Sequence, residues 1–263
     1  MIGEVMSGLM IGILLSRPLA SLIADLWNWR AFYLVSAISM AALTGALAWY
    51  LPTLRPAARA SYRTLLASFP KLLKDEPVLR VRAWTAALVM ASFTAYWSAN
   101  TLRLSAAPFD LNAQEIAVFA LIGAFGAAAT PLAGRLGDRG WTRPMLFASH
   151  LLIIVSLALC AWAGLIKSHA MALLVLGAGT ILFDVGVTSD QPLGRRAVNL
   201  LRPEARGRLN GLFVGLFCIG GAVGATAAAL AWTFGGWTSV CAVAGLFGLV
   251  ALLTDIATST GTS

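Results

Sequence analysis

Charged residues are scarce in this chain. Of its 263 residues, 11% are Asp, Glu, Lys or Arg, while 59% are hydrophobic. Ordinary soluble domains carry about 25% charged residues, which cover their surface. A chain with less than half of that share must face something other than water, and a lipid bilayer is the medium that suits it. The composition therefore argues against a soluble globular domain.

Cysteine and histidine are also few. Cys160, Cys218 and Cys241 stand singly within apolar runs, without the CxxC spacing that marks metal sites. We therefore predict no metal site, and no cofactor either, since neither a P-loop nor a dinucleotide-binding fingerprint is present. His150 and His169 fall near the ends of apolar runs, far from any Ser or Cys with a carboxylate to orient it. We do not expect an enzyme.

The chain is basic, with a formal net charge of +8. In a soluble protein this would suggest a nucleic-acid partner. The cytoplasmic loops of membrane proteins collect Lys and Arg, however, so a basic balance is expected here without any polyanion. We predict a lipid bilayer as partner and no nucleic acid.

Eight apolar runs are long enough to cross a membrane as helices. They contain much Ala, Leu and Gly and lack the alternating polarity of transmembrane strands. Since every backbone polar group must be satisfied inside lipid, we predict an all-α polytopic membrane protein. The predicted spans are about 5–26, 31–51, 82–102, 113–134, 145–166, 170–191, 210–233 and 237–255.

The basic residues predict the orientation of these spans. Fifteen of the 19 lysines and arginines fall in three connections, 52–82, 134–144 and 192–208. Such loops remain in the cytoplasm. Because the number of spans is even, both ends of the chain are predicted to be cytoplasmic, in a multi-pass protein of the inner (plasma) membrane.

The connection 52–81 is the longest and the only candidate linker. It separates residues 1–51, with two spans, from residues 82–263, with six. Four leucines and Phe69 recur at helical spacing within it, with basic residues among them, which suits a helix on the membrane surface. Pro70 would interrupt that helix, so two short pieces are an equal possibility.

Small residues recur at four-residue spacing in the first and seventh spans. This spacing allows close helix contact, and a tryptophan follows each stripe. If span one matches span seven, the repeat is six helices long, and the chain holds one full repeat preceded by the last two helices of another. Glycine stripes and interfacial tryptophans also occur without a repeat. The residues concerned are Gly8, Gly12, Ser16, Gly211, Gly215, Gly220 and Gly224, with Trp29 and Trp237 after them.

Two connections carry motifs. The turn at 134–143 reads GRLGDRGWTR, and the stretch at 201–208 reads LRPEARGR. The first resembles the GxLaDRxGRR-type cytoplasmic loop of the major facilitator superfamily, although Trp and Thr stand where Gly and Arg are often found. The second is similar to the P-E-x-x-R-G loop of the same family.

The chain thus resembles a major facilitator, similar to the drug:proton antiporter branch. The resemblance implies that the eight spans correspond to helices 5–12 of that fold, so that the first four helices are lacking. It also implies that the two loops help to gate the cytoplasmic side. The gating residues predicted in this way are Gly134, Gly137, Asp138, Arg139, Glu204 and Arg206.

Two charges lie where lipid is expected. Asp184 falls midway along span six and Arg17 midway along span one. Intramembrane charges usually face a cavity or a partner. By the family's arrangement span six lines the cavity, which favours Asp184 as a protonatable coupling residue. Arg17 could pair with a carboxylate or bind an anionic substrate. A buried ion pair that only fixes helix packing is the alternative for both.

Span three is unusually polar and also lines the cavity by resemblance. Tyr96 and Asn100 are four residues apart, hence on one face, and we predict that they and Trp97 contact a substrate. Tyr96 and Trp97 could equally be interfacial anchors. Asp190 and Glu115 sit at span ends, where we expect water to reach them.

The leading hypothesis is a proton-coupled carrier that exports small molecules by alternating access. The alternatives are a truncated, inactive remnant and a membrane scaffold. If the chain is truly short, transport would need a partner chain or a dimer.

Overall fold

A computed structural model describes residues 26–50, 67–127, 130–202 and 205–260, together with position 63 and isolated positions between 12 and 24. Most of the first predicted span lies outside the described residues, and so do Arg17 and residues 51–62.

The described part of the chain is helical with short connections. Five of its helices, at 29–50, 77–105, 142–163, 169–199 and 206–258, are long and apolar enough to cross a membrane. The prediction of a helical multi-pass membrane protein is confirmed for these residues. The helices are α1 Trp29–Tyr50, α2 Phe69–Asp75, α3 Pro77–Ser105, α4 Ala113–Ala127, α5 Thr130–Asp138, α6 Thr142–Ala163, α7 His169–Asn199 and α8 Arg206–Thr260.

The predicted span 113–134 contains two described helices, α4 and α5. Residues 128 and 129 between them lie outside the described residues, so the continuity of this span, and with it the number of eight spans, stays a prediction.

α8 consists of two helices joined at a break. Its 55 residues would extend about 80 Å, far more than a bilayer core of about 30 Å. The helix is broken at Gly235 and Gly236, and Gly236 has a φ of 61°, a conformation that glycine adopts without steric penalty. The two parts, 206–234 and 237–260, fit the predicted spans 210–233 and 237–255.

Part of the glycine stripe lets α3 and α8 approach closely. A Cβ added at Gly220 would collide with the backbone of Ala87, and one added at Gly224 would collide with that of Ala91. Small residues at such positions allow backbone-to-backbone packing in membranes, where van der Waals contact drives association. Gly215 meets no described atom within 4 Å, so the stripe serves this contact only in its second half.

The described connections lie at two ends of the helix bundle. At one end, the starts of α3 and α6 and the end of α8 line a common pocket, and Arg202 pairs with Glu76 at 2.5 Å. We call this the basic end. At the opposite end, the Phe109 ring contacts His169 and lies 4.9 Å from the Arg103 guanidinium. The described parts of the three basic connections thus share one end, and the side of the membrane that it faces stays a prediction.

The helix boundaries differ from the prediction around the linker. α3 begins at Pro77 rather than at 82, because a proline fits the first turn of a helix, where its missing N–H has no partner to lose. Pro70 likewise lies in the first turn of α2, which begins at Phe69. Arg80 and Arg82 therefore lie within α3.

α1 exposes all of its sides. None of its residues is buried against the rest of the described chain. Leu34 and Ile38, for example, are more than half exposed. In a membrane such a surface contacts lipid or other helices.

Candidate functional site

Asp184 lies buried in the middle of α7, with 4% of its surface exposed. The α4 backbone packs directly on it, because a Cβ added at Gly123 or Gly126 would collide with Asp184. From α3, the Trp97 indole donates a hydrogen bond of 3.1 Å from Nε1 to Asp184 Oδ1. The carboxylate is therefore enclosed by three helices and has a specific donor.

A second contact fixes α4 beside this carboxylate. Thr188, one turn further along α7, donates hydrogen bonds from its hydroxyl to the carbonyl of Gly126 at 2.8 Å and to that of Asp184 at 2.7 Å. This bridge holds the two backbones at the distance that the glycines permit.

A pocket of about 250 Å³ lies between α3 and α4, towards the opposite end of the bundle. Trp97 and Asn100 line it together with six further residues, and Trp97 thereby joins the pocket to Asp184. Asn100 is 1% exposed, and its Oδ1 accepts no hydrogen bond from any described residue. A buried acceptor without a donor is unfavourable, so this atom is suited to a donor from a ligand. The other lining residues are Thr101, Leu104, Ala113, Ile116, Ala117 and Ala120.

Tyr96, the third residue predicted to contact a substrate, does not line the pocket that Trp97 and Asn100 line. It is fully buried, and its hydroxyl is 2.6 Å from Thr180 Oγ1. Its ring packs against Phe183 and Trp237, with ring centroids 4.7 and 5.6 Å away. The described structure thus places Tyr96 in the core of the bundle, and its contact with a substrate stays a prediction.

The first motif forms the turn between α5 and α6. Gly140 has a φ of 87°, which a residue with a side chain adopts rarely, and so it ends α5 as a glycine cap. A Cβ at Gly137 would meet Leu193 of α7, whereas one at Gly134 meets no described atom within 4 Å. Arg139 is exposed at the basic end. The Asp138 side chain lies outside what the structure describes.

The second motif lies at the start of α8. Arg206 donates from Nε to the carbonyl of Asn199, at 3.1 Å, which joins α8 to the end of α7. Glu204 lies outside the described residues. Of the two charges predicted within the membrane, Asp184 is described and Arg17 is not, so their relation stays open.

A buried ion cluster was missed by the sequence reasoning. His150 is fully buried, and Asp190 is 2% exposed, so the expectation that water reaches Asp190 is wrong. His150 Nε2 lies 3.1 Å from Asp190, and Nδ1 lies 3.1 Å from Asp255. Asp255 in turn binds Arg82 at 2.7 Å. Four charged or titratable groups on four helices meet here. The cluster depends on which helices are neighbours, and the sequence does not reveal this.

Known proteins resemble the chain over most of its length. Residues 1–190 match the family model of the Major Facilitator Superfamily. The chain is 33% identical over 252 residues to the putative uncharacterized transporter YgaY of Escherichia coli, covering 96% of this chain and 62% of YgaY. It is 29% identical over 249 residues to the probable transporter SCO4007 of Streptomyces coelicolor, covering 93% and 55%. The chain spans about three fifths of the length of these relatives.

Helices that are long and apolar enough to cross a membrane define a multi-pass membrane protein. The chain belongs to the Major Facilitator Superfamily.

Proposed function

We propose that the chain acts as a secondary transporter that exports small molecules in exchange for protons. Asp184 carries the proton, and the pocket beside Trp97 receives the substrate. The family match and the relatives named as transporters support the transport of a small molecule. Proton coupling and export rest on Asp184 and on the resemblance to the drug:proton antiporter branch.

The observation that carries the proposal is the hydrogen bond from Trp97 to Asp184. A hydrogen bond to an ionised carboxylate is roughly twice as strong as one to a neutral acceptor. When Asp184 takes up a proton, this bond weakens and the indole is less firmly held. Because the same indole lines the pocket, the protonation state of Asp184 changes the wall that a substrate touches. Proton and substrate are thereby coupled through one side chain.

The pocket suggests the chemistry of the substrate. Asn100 Oδ1 offers an acceptor, the Trp97 ring offers an aromatic face, and small apolar residues of α4 form the remaining wall. A small amine or alcohol with an apolar or aromatic body meets these demands. Protons then move opposite to it as the two helix bundles rock and expose the site to alternate sides.

The arrangement of the whole carrier follows from the resemblance. The described helices and the first predicted span act as helices 5–12, residues 1–51 belong to the N-terminal bundle, and residues 82–263 form the C-terminal bundle. The turn at 134–143 and the connection at 192–208 gate the cytoplasmic side of the inner membrane. Arg17 supplies either a countercharge or an anion-binding group.

The test is transport by the purified chain in liposomes. A mixture of small amines and alcohols is enclosed, a pH gradient is imposed, and mass spectrometry measures which compounds leave. We expect export of at least one compound that needs the gradient. Asp184→Asn keeps the size of the side chain and loses the titratable proton. In this variant we expect export to fall to the level of protein-free liposomes.

Asp110→Asn is the matched control, because Asp110 is exposed and its φ of 49° suits Asn. It retains the export of the unaltered chain. Export by Asp184→Asn that equals that of the unaltered chain contradicts the coupling role. Absence of any export from the unaltered chain contradicts transport by this chain alone and favours the remnant or the scaffold that needs a partner.

A further inference from the structure

The His150 cluster lies outside the site proposed for transport. Asp190 follows Asp184 by six residues on α7, a rise of about 9 Å along the helix axis. The other members belong to α3, α6 and the second part of α8, and none of them lines the pocket beside Trp97. The cluster therefore needs an explanation of its own.

A neutral His150 imidazole cannot suit both of its carboxylate neighbours. Neutral histidine has one N–H and one bare nitrogen. If Nε2 carries the hydrogen, it donates to Asp190, and the bare Nδ1 faces Asp255 Oδ2 at 3.1 Å. If Nδ1 carries it, the bare Nε2 faces Asp190 instead. His150 Nδ1 and Asp255 Oδ2 make no hydrogen bond at this distance, so their contact is electrostatic. In either tautomer a nitrogen lone pair meets a carboxylate oxygen, and only a doubly protonated imidazole is attracted to both carboxylates.

The charges of the cluster lead to the same conclusion. Asp190 and Asp255 contribute two negative charges and Arg82 contributes one positive charge. Within the cluster itself one negative charge remains, and His150 is the member that can balance it by binding a proton. An unbalanced charge is unfavourable at this depth, since His150 and Asp190 are 0% and 2% exposed.

The cluster also has a route to its surroundings. Arg82 and Asp255 line a pocket of about 500 Å³ at the basic end of the bundle, and Arg80 and Arg143 stand in its wall as well. His150 itself does not reach that pocket, but it touches Asp255, which does. Asp255 thus lies between the pocket and His150 Nδ1, where a carboxylate can pass a proton in either direction.

We propose that His150, held between Asp190 and Asp255, forms a second proton-binding site, which exchanges with the basic end of the protein through Asp255. The charged groups that face it are Asp190 from α7, Asp255 from α8 and, through Asp255, Arg82 from α3. This proposal does not depend on transport or on Asp184.

The chain contains two histidines, which makes the test direct. The whole chain is labelled with ¹³C at the histidine Cε1, purified in detergent micelles and studied by NMR. His169→Gln removes the exposed histidine and leaves the His150 signal alone. We expect the position of an imidazolium at neutral pH and a reversible change to the neutral form within about pH 5 to pH 10.

Two further variants test the role of the carboxylates. In the His169→Gln background, Asp190→Asn or Asp255→Asn removes one negative neighbour, so the protonated fraction of His150 at neutral pH falls. Asp110→Asn leaves it unchanged. If a cluster variant fails to fold, the titration of His150 in the His169→Gln chain still tests whether His150 binds and releases a proton.

Three results overturn the proposal. The first is a His150 signal in the neutral form at every pH. The second is a signal that keeps the protonated form over the whole range, which shows a fixed ion pair without exchange. The third is a titration that Asp190→Asn and Asp255→Asn both leave unchanged. Loss of export in Asp184→Asn bears on none of these results, so the two proposals fail separately.

Discussion

At the scale of single residues, the site depends on polar atoms with few alternatives. Trp97 has one N–H, and it is directed at Asp184. Asn100 Oδ1 has no donor among the described residues. A polar atom of this kind is satisfied either by a ligand or by water, and the pocket beside it has room for both.

Asn100→Leu tests this acceptor. The leucine has similar size but no acceptor, so a substrate with an N–H or O–H donor loses one hydrogen bond, worth about 0.5–1.5 kcal/mol. We expect the KM for any exported compound to rise up to about tenfold with a smaller change in the maximal rate. Concentration series in the liposome assay measure both.

The control for this variant lies on the same helix. Ser98 is exposed and does not line the pocket, so Ser98→Ala should leave the KM unchanged. A KM in Asn100→Leu equal to that of the unaltered chain would show that Oδ1 does not contact the substrate.

The residue scale also shows what the sequence could not predict. Asp184 stands out because a charge within an apolar run is conspicuous, and Trp97 lies on the span that the resemblance marks as cavity-lining. His150 and Asp190 were placed at span ends because they lie near the ends of apolar runs. Their burial depends on which helices are neighbours, and this information is not local in the sequence.

At the scale of helices, glycine positions decide how closely the elements pack. Gly220 and Gly224 bring α8 against the α3 backbone, and Gly123 and Gly126 bring α4 against Asp184. The four-residue spacing predicts a contact face, but it does not show which half of a stripe is used. The break at Gly235 could be expected from the adjacent glycines.

Gly220→Ala and Gly215→Ala form a matched pair for the helix contact. Both lie in the first part of α8, but the added methyl group collides with the Ala87 backbone only at 220. Overpacking of this kind destabilises by about 1–3 kcal/mol. We expect the Tm of Gly220→Ala in detergent to fall and that of Gly215→Ala to remain within error. Equal Tm values for the two variants would refute the close contact of α3 and α8.

At the scale of the whole molecule, the described helices place basic connections at one end and the pocket beside Trp97 towards the other. Asp184 lies between them, in the middle of α7. The class of fold could be predicted from the composition, which is a property of the whole chain. The family could be predicted from two short loop motifs, because the residues of each motif are contiguous in the sequence. The identity of the substrate depends on the depth and direction of a few side chains, which spacing alone does not fix.

The proposed coupling requires that Asp184 takes up and releases a proton inside the membrane. Infrared difference spectroscopy of the protein in liposomes, recorded across a pH titration, measures this directly through the C=O stretch of protonated carboxyl groups. We predict a titrating band that is present in the unaltered chain and in Asp110→Asn and missing in Asp184→Asn. A spectrum of Asp184→Asn that retains every band of the unaltered chain would contradict the account.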